Sequence, residues 1–318
     1  MTWAICLIVV GHGVQCTQAS EAPVEFDSLQ TSGKSHHQVV FESRRNGDFA
    51  STVFTVNPDG TDETRLSRHK TGRPAILDAR VSWDGSLIAF TRGGSDHRTG
   101  VWVMNADGSG EREILAKVAI RFNGGWAKPS LSPDNKEMVY VSNLHGRDDI
   151  YRVSIEAKKP IRLTTNGEDN RLPYWSPDGQ WIAYASKQGQ NRNIMLMRPD
   201  GSESRAITTS DSDDTMPAWM PDSKGLLFVS DRDGPTELYL LSLDDGDVRR
   251  LSDTVDFHEL YPTVSPDGTM IAFEARPFDA EASWMRSIYV MPFEGGPAEK
   301  LTSSRYLDTS PTWISISK

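Results

Sequence analysis

Four polar side chains recur at one position of a repeated phrase: Asn170, Asp214, Glu259 and Asp308 each stand three residues ahead of a proline. Trp126 holds that position in a fifth copy, and Asp78 lies close to the equivalent point in the remaining one. Arg80, Lys128, Arg171 and His258 are near them in the chain. One position of a closed repeat makes a ring, so these residues are expected to surround one opening. A mostly acidic collar suits a cation, a basic peptide segment or a sugar. Its oxygen donors suit Ca²⁺ or Mg²⁺ more than zinc. No ligand spacing singles out a metal, so no cofactor is firmly implied. The alternative role is structural, each carboxylate accepting hydrogen bonds from the next repeat's backbone or from a basic neighbour.

Other chemistry-bearing residues are dispersed. His69, His97, His145 and His258 fall between strands of different repeats with no motif spacing, and His36-His37 precedes the first repeat. No Gly-x-Ser-x-Gly elbow occurs, and no hydrolase domain fits beside the repeats. Catalysis is therefore not the expected activity. Trp83, Trp175, Trp219 and Trp313 sit on innermost strands and Trp102 and Trp181 further out, which is the placement of packing residues. Trp126 and Trp284 sit in loops and are the candidates for an exposed aromatic contact.

The elements that must position these residues follow from the phrase itself. Pro173-Tyr174-Trp175-Ser176-Pro177-Asp178-Gly179 recurs in varied form from Pro129, Pro217 and Pro262, more loosely from Ala79, and as the fragment Pro311-Thr312-Trp313. A period of about 45 residues signals a repeat architecture. Each repeat reads as four short strands: one ending in Pro-Asp-Gly, a second such as Trp181 to Ser186, a third such as Asn193 to Met197, and a fourth such as Arg205 to Thr208. Pro presets the first turn position and Gly takes the positive-φ position of the hairpin. Such units build a β-propeller. The first repeat, from Val39, lacks an innermost strand, and the last fragment supplies only that strand. The fold class is thus all-β: a six-bladed propeller over 39–318, its ring closed by the C-terminal strand joining the N-terminal blade.

The net charge of −10 argues against a nucleic-acid or anionic-membrane partner. Residues 3–10 form a short apolar run followed by small and polar residues, which reads as a signal peptide over 1–22 ahead of a linker at 23–38. The only two cysteines, Cys6 and Cys16, fall within that segment. An exported protein of the bacterial envelope is expected, periplasmic and monomeric, with no transmembrane span once the signal is removed. Alternating strand directions put both sets of tight turns on one face. The longer connections, at 91–100, 116–128, 210–214, 253–261 and 274–286, fall on the other, which is the expected binding face.

The succession Pro-x-Trp-Ser-Pro-Asp-Gly, Ile-Ala-Phe/Tyr-x-Ser, Ile-Tyr-x-Met, Asp-Gly-Ser/Thr and Arg-Leu-Thr resembles the WD40-like (PD40) repeat of the TolB propeller family over roughly residues 39–318. TolB carries an α/β domain ahead of its propeller, and 23–38 leaves no room for one. Similar repeats serve in the Tol–Pal envelope system, in the propeller gates of prolyl oligopeptidase-type and tricorn-type peptidases, and in oligogalacturonate-lyase-like proteins. The resemblance implies a non-catalytic exported propeller that docks a protein or peptide at its loop face and channel mouth. The alternative it implies is a glycan-active or glycan-binding propeller, with channel-mouth histidines on a divalent metal and an oligosaccharide as ligand.

Overall fold

Phe41, Phe90, Tyr140, Tyr184, Phe228 and Phe273 occupy the same place in six successive sheets, and each is almost wholly buried. They belong to the Ile-Ala-Phe/Tyr strand of each repeat, whose central side chains are buried as well. The computed structural model describes residues 37–45, 51–67, 75–93, 99–118, 127–143, 145–254, 256–278, 285–302 and 306–315. The expected signal peptide, nearly all of the linker, and Trp126 and Trp284 lie outside them.

Blade 1 begins with β1 (His37–Arg44), β2 (Thr52–Val56) and β3 (Thr64–Arg65). Blade 2 is β4 (Ile76–Val81), β5 (Leu87–Gly93), β6 (Thr99–Asn105) and β7 (Arg112–Val118). Blade 3 is β8 (Ser130–Leu131), β9 (Glu137–Ser142), β10 (Asp149–Ser154) and β11 (Pro160–Arg162). Blade 4 is β12 (Asn170–Trp175), β13 (Ile182–Gln188), β14 (Asn191–Met197) and β15 (Arg205–Ala206). Blade 5 is β16 (Asp214–Trp219), β17 (Gly225–Ser230), β18 (Glu237–Ser242) and β19 (Val248–Arg250). Blade 6 is β20 (Phe257–Val264), β21 (Met270–Pro277), β22 (Ser287–Pro292) and β23 (Glu299–Lys300). The last strand, β24 (Leu307–Ser315), pairs antiparallel with β1 and completes blade 1. The expected six-bladed ring and its closure are both present.

The repeated residues each have a physical task. The buried aromatic of the second strand faces a partner on the third: Phe41 on Phe54, Phe90 on Trp102, Tyr140 on Tyr151, Phe228 on Tyr239 and Phe273 on Tyr289, with centroids 5.6–6.5 Å apart. Such cross-strand pairs contribute roughly 0.5–1.5 kcal/mol each beyond area burial. The Thr or Ser that ends Arg-Leu-Thr accepts a backbone N–H from the first half of the third strand or close to it. Thr164 takes it from Ile150, Thr208 from Ile194, Ser252 from Leu238 and Thr302 from Ile288, all at 2.9 Å. The aspartate of Pro-Asp-Gly binds the turn internally. Asp178 accepts the Ser176 hydroxyl at 2.6 Å and the Gln180 N–H at 2.9 Å, and the same bonds recur at Asp84, Asp134 and Asp267. At Asp84 burial opposes these hydrogen bonds, which win and hold the carboxyl down to about 2.

The innermost strands carry a second regularity. In β4, β12, β16, β20 and β24 the register slips once, three residues spanning what two cover on the partner strand. The slip falls at the recurring proline, Pro173, Pro217, Pro262 or Pro311, with Ala79 in its place in β4. Proline cannot donate to a ladder, so in a sheet it settles at a bulge.

Candidate site at the channel end

The residue just before each of those prolines has left-handed backbone. Asp78, Lys128, Leu172, Met216, Tyr261 and Ser310, one per blade, have φ between 40° and 59°. None is glycine, and an L-residue held there costs on the order of 1–3 kcal/mol. Recurrence in six blades with six different residue types makes the conformation a property of the position rather than of any one side chain. All six residues line one cavity of about 480 Å³, including space open to solvent. Arg80, Tyr174, Thr263 and Thr312, two residues further along their strands, line it as well, together with Pro217, Pro262 and Pro311.

The lining is two-faced. Blades 1 to 3 contribute Ser310, Asp78 and Lys128, and blades 4 to 6 contribute Leu172, Met216 and Tyr261. On the polar side the Lys128 ammonium lies 3.0 Å from Asp78 Oδ1 and donates to Ser310 Oγ at 3.0 Å. It also stands 4.0 Å from the centre of the Tyr261 ring. Burial lowers the Lys128 pKa, but Asp78, Tyr261 and Glu42 outweigh it and hold it above the ordinary lysine value. Behind this pair Glu42 Oε1 accepts the Ala79 N–H at 2.7 Å. Burial pushes the Glu42 carboxyl up to about 8, with Lys128 opposing and Asp78 reinforcing. Glu274 pairs with Arg286 at 2.6 Å and accepts the Ser310 N–H at 3.3 Å. Burial raises its pKa too, against Arg286 and Lys128.

Arg80 is held differently. Its guanidinium lies 3.9 Å from the centre of the Tyr174 ring and donates to the Pro173 carbonyl at 3.0 Å. Trp83 stacks on the same ring at 5.5 Å, and its indole N–H donates to Trp175 O at 3.0 Å. Both contacts run from blade 2 to blade 4, past the short β8 of blade 3. Burial lowers the Arg80 pKa.

The residues singled out by their spacing divide into two groups. Asp78, Arg80 and Lys128 line the cavity. Asn170, Asp214, Glu259 and Asp308 are fully buried and bonded into the scaffold, not set around the cavity. The Asn170 amide donates to Asn166 Oδ1 at 2.8 Å and Glu168 O at 3.0 Å. Asp214 receives Arg232 at 2.9 and 3.0 Å and the Ser230 hydroxyl at 2.6 Å. Glu259 accepts the Leu238 N–H at 3.1 Å and the Ser252 hydroxyl, and burial pushes its carboxyl up to about 7. Burial also raises Asp308, against the hydroxyls of Ser43 and Thr302. Arg171 pairs with Asp148 at 2.6 Å. His258 Nδ1 lies 3.0 Å from the Thr236 hydroxyl, its ring edge-on to Phe278 at 4.7 Å. Burial and then Arg276 lower its pKa. Among the described residues no group of three or more His, Cys, Asp or Glu is placed to hold a metal ion. No helix among them is long and apolar enough to cross a membrane. Leu172, Met216, Tyr261 and Ser310 also line the cavity, and none of them was expected there from the polar spacing. Their signal was adjacency to the repeated proline.

The pattern of the TolB beta propeller domain matches residues 80–213 and again 170–313. The chain belongs to the TolB β-propeller family. No curated protein matches it. The propeller superposes on TolB from Acinetobacter baumannii with a TM-score of 0.72 at 20% identity, over 87% of this chain and 66% of that one. The chain thus spans just under two thirds of that protein. A putative TolB from Agrobacterium tumefaciens gives 0.64 at 17% identity, over 89% and 99%. An oligogalacturonate lyase from Vibrio parahaemolyticus gives 0.57 at 14% identity, over 86% and 75%. At these identities the likeness to other TolB-type propellers is one of fold.

Proposed function

We propose that this propeller is a non-catalytic binding protein, exported to the bacterial envelope, that docks a protein or peptide segment at its channel end. The observation that carries the reading is the two-faced cavity built from one left-handed residue of each blade. Its polar half, Ser310, Asp78 and Lys128, faces the apolar half of Leu172, Met216 and Tyr261. A peptide offers both a polar backbone and apolar side chains to such a lining. The rigid ring keeps the site preformed, which lowers the ordering cost of binding. A propeller of similar fold occurs in a nidogen/laminin complex, at TM-score 0.66 and 11% identity over 87% of this chain and 98% of that one. Export rests on the apolar run at residues 3–10.

Selection of random peptides displayed on phage against the full chain tests the docking. Peptides that bind the parent protein are expected to lose it in Met216→Glu, which places a charge on the apolar wall. Selected peptides that bind the variant equally well would overturn the reading. Fractionation of cells producing the tagged full chain, with the mature N-terminus sequenced, tests export.

A further inference from the structure

We propose that the group this cavity receives is a carboxylate, held by the guanidinium of Arg80, with the attached hydrocarbon against Leu172 and Met216. The inference rests on the docking reading and names the chemistry of what docks.

Among the described residues three cations lie in or behind the lining, and two of them already have carboxylate partners. Lys128 is 3.0 Å from Asp78, and Arg286 is 2.6 Å from Glu274. Arg80 makes no ion pair with any described residue. Its contacts are uncharged, the Pro173 carbonyl at 3.0 Å and the face of Tyr174 at 3.9 Å. A guanidinium carries five N–H donors in a planar fork, and one carbonyl leaves most of that fork unused. It also remains protonated under all ordinary conditions. It is half-buried and feels Asp78 without pairing with it, so a guest that covers it with no counter-charge removes its remaining water at a cost. A carboxylate entering the cavity offsets that cost while matching the fork with two parallel bonds.

A cationic guest finds no free carboxylate among the described lining residues. Asp78 is committed to Lys128, and Glu42 and Glu274 are committed to the Ala79 and Ser310 N–H groups behind the lining. An incoming ammonium would have to displace Lys128 and would stand near Arg80. The acidic collar expected from the spacing is buried elsewhere, so Arg80, the cation of the lining that pairs with no described carboxylate, sets the preference. A neutral guest would leave Arg80 uncompensated.

A carboxylate on a peptide comes from its C-terminus or from an acidic side chain, and simple probes separate the two. Isothermal titration of the full chain at low salt would use N-acetyl-leucine, N-acetyl-glutamic acid α-amide and the neutral N-acetyl-leucinamide. At least one acid is expected to bind in the millimolar range, at least about tenfold more tightly than the neutral amide. Which acid binds identifies the source. Arg80→Met keeps a stem to pack on Tyr174 and is expected to lose that preference; Arg80→Lys is expected to restore part of it. An unchanged melting temperature for these variants keeps the comparison interpretable. The inference is overturned if the amide binds as well as the acids, if Arg80→Met binds the acids as the parent does, or if neither acid binds. Acid and amide binding alike, both lost in Met216→Glu, would remove the carboxylate and leave the docking reading standing.

Discussion

Lys128 Nζ lies 3.0 Å from Asp78 Oδ1 across the seam between blades 2 and 3, and both residues hold left-handed backbone. The side chains are 6% and 1% exposed, so this is a buried pair rather than a surface one. Removing one partner of such a pair strands a charge and costs about 3–5 kcal/mol, whereas removing both together costs much less. Asp78→Asn and Lys128→Met are each expected to lower stability by that order, and the double variant by well under their sum. Urea denaturation of the four proteins measures the coupling. Simple additivity would show that the pair holds nothing together.

The bulge predicts an unusual order among substitutions at Leu172, whose φ is 57°. In ordinary strand, Ala is more stable than Gly. Here the left-handed conformation should reverse that order, with Leu172→Gly more stable than Leu172→Ala by about 1 kcal/mol. Thermal unfolding of the two variants decides it. Ala exceeding Gly would mean that the bulge relaxes once the side chain shortens.

Glu42 should make stability fall as pH rises. Its carboxyl is raised from 4.5 to about 8 in the fold by burial, facing Lys128, Asp78, Glu274 and the Ala79 N–H. Between those values the folded state keeps a proton that the unfolded chain has released, so stability declines across the window. Glu259, raised to about 7, acts in the same sense over a narrower range. Glu42→Gln is expected to flatten the decline between about pH 5 and about pH 8. Urea midpoints across that range measure it, and an unchanged slope would assign the dependence to other groups.

Blade number, strand order and ring closure were legible in the chain because each is written several times. Pro-Asp-Gly and its variants mark the hairpin after the innermost strand of five blades, Arg-Leu-Thr and its variants a capping hydroxyl in blades 3 to 6, and the missing and surplus strands at the two ends complement each other. The candidate site was legible only in part. Asp78, Arg80 and Lys128 line the cavity, whereas Asn170, Asp214, Glu259 and Asp308 are buried in the scaffold. Asn170 pairs with Ser186 and Tyr174 with Ala183, an odd separation on the partner strand, so the two lie on opposite faces although they are four apart. The extra residue of the bulge reverses the alternation, so a fixed spacing before the proline does not place these side chains on the face of the residues that follow it.

The sequence by itself determined the ring, since local turn chemistry and strand patterning repeat with the period that builds it. Only the tertiary structure decided which side chains meet at its centre. Those meetings join residues of different blades far apart in the chain, such as Lys128 with Asp78 and Ser310, or Arg80 with Tyr174. No spacing encodes them. They follow from the recurring left-handed residue of each blade, which brings six residues from six blades to one cavity.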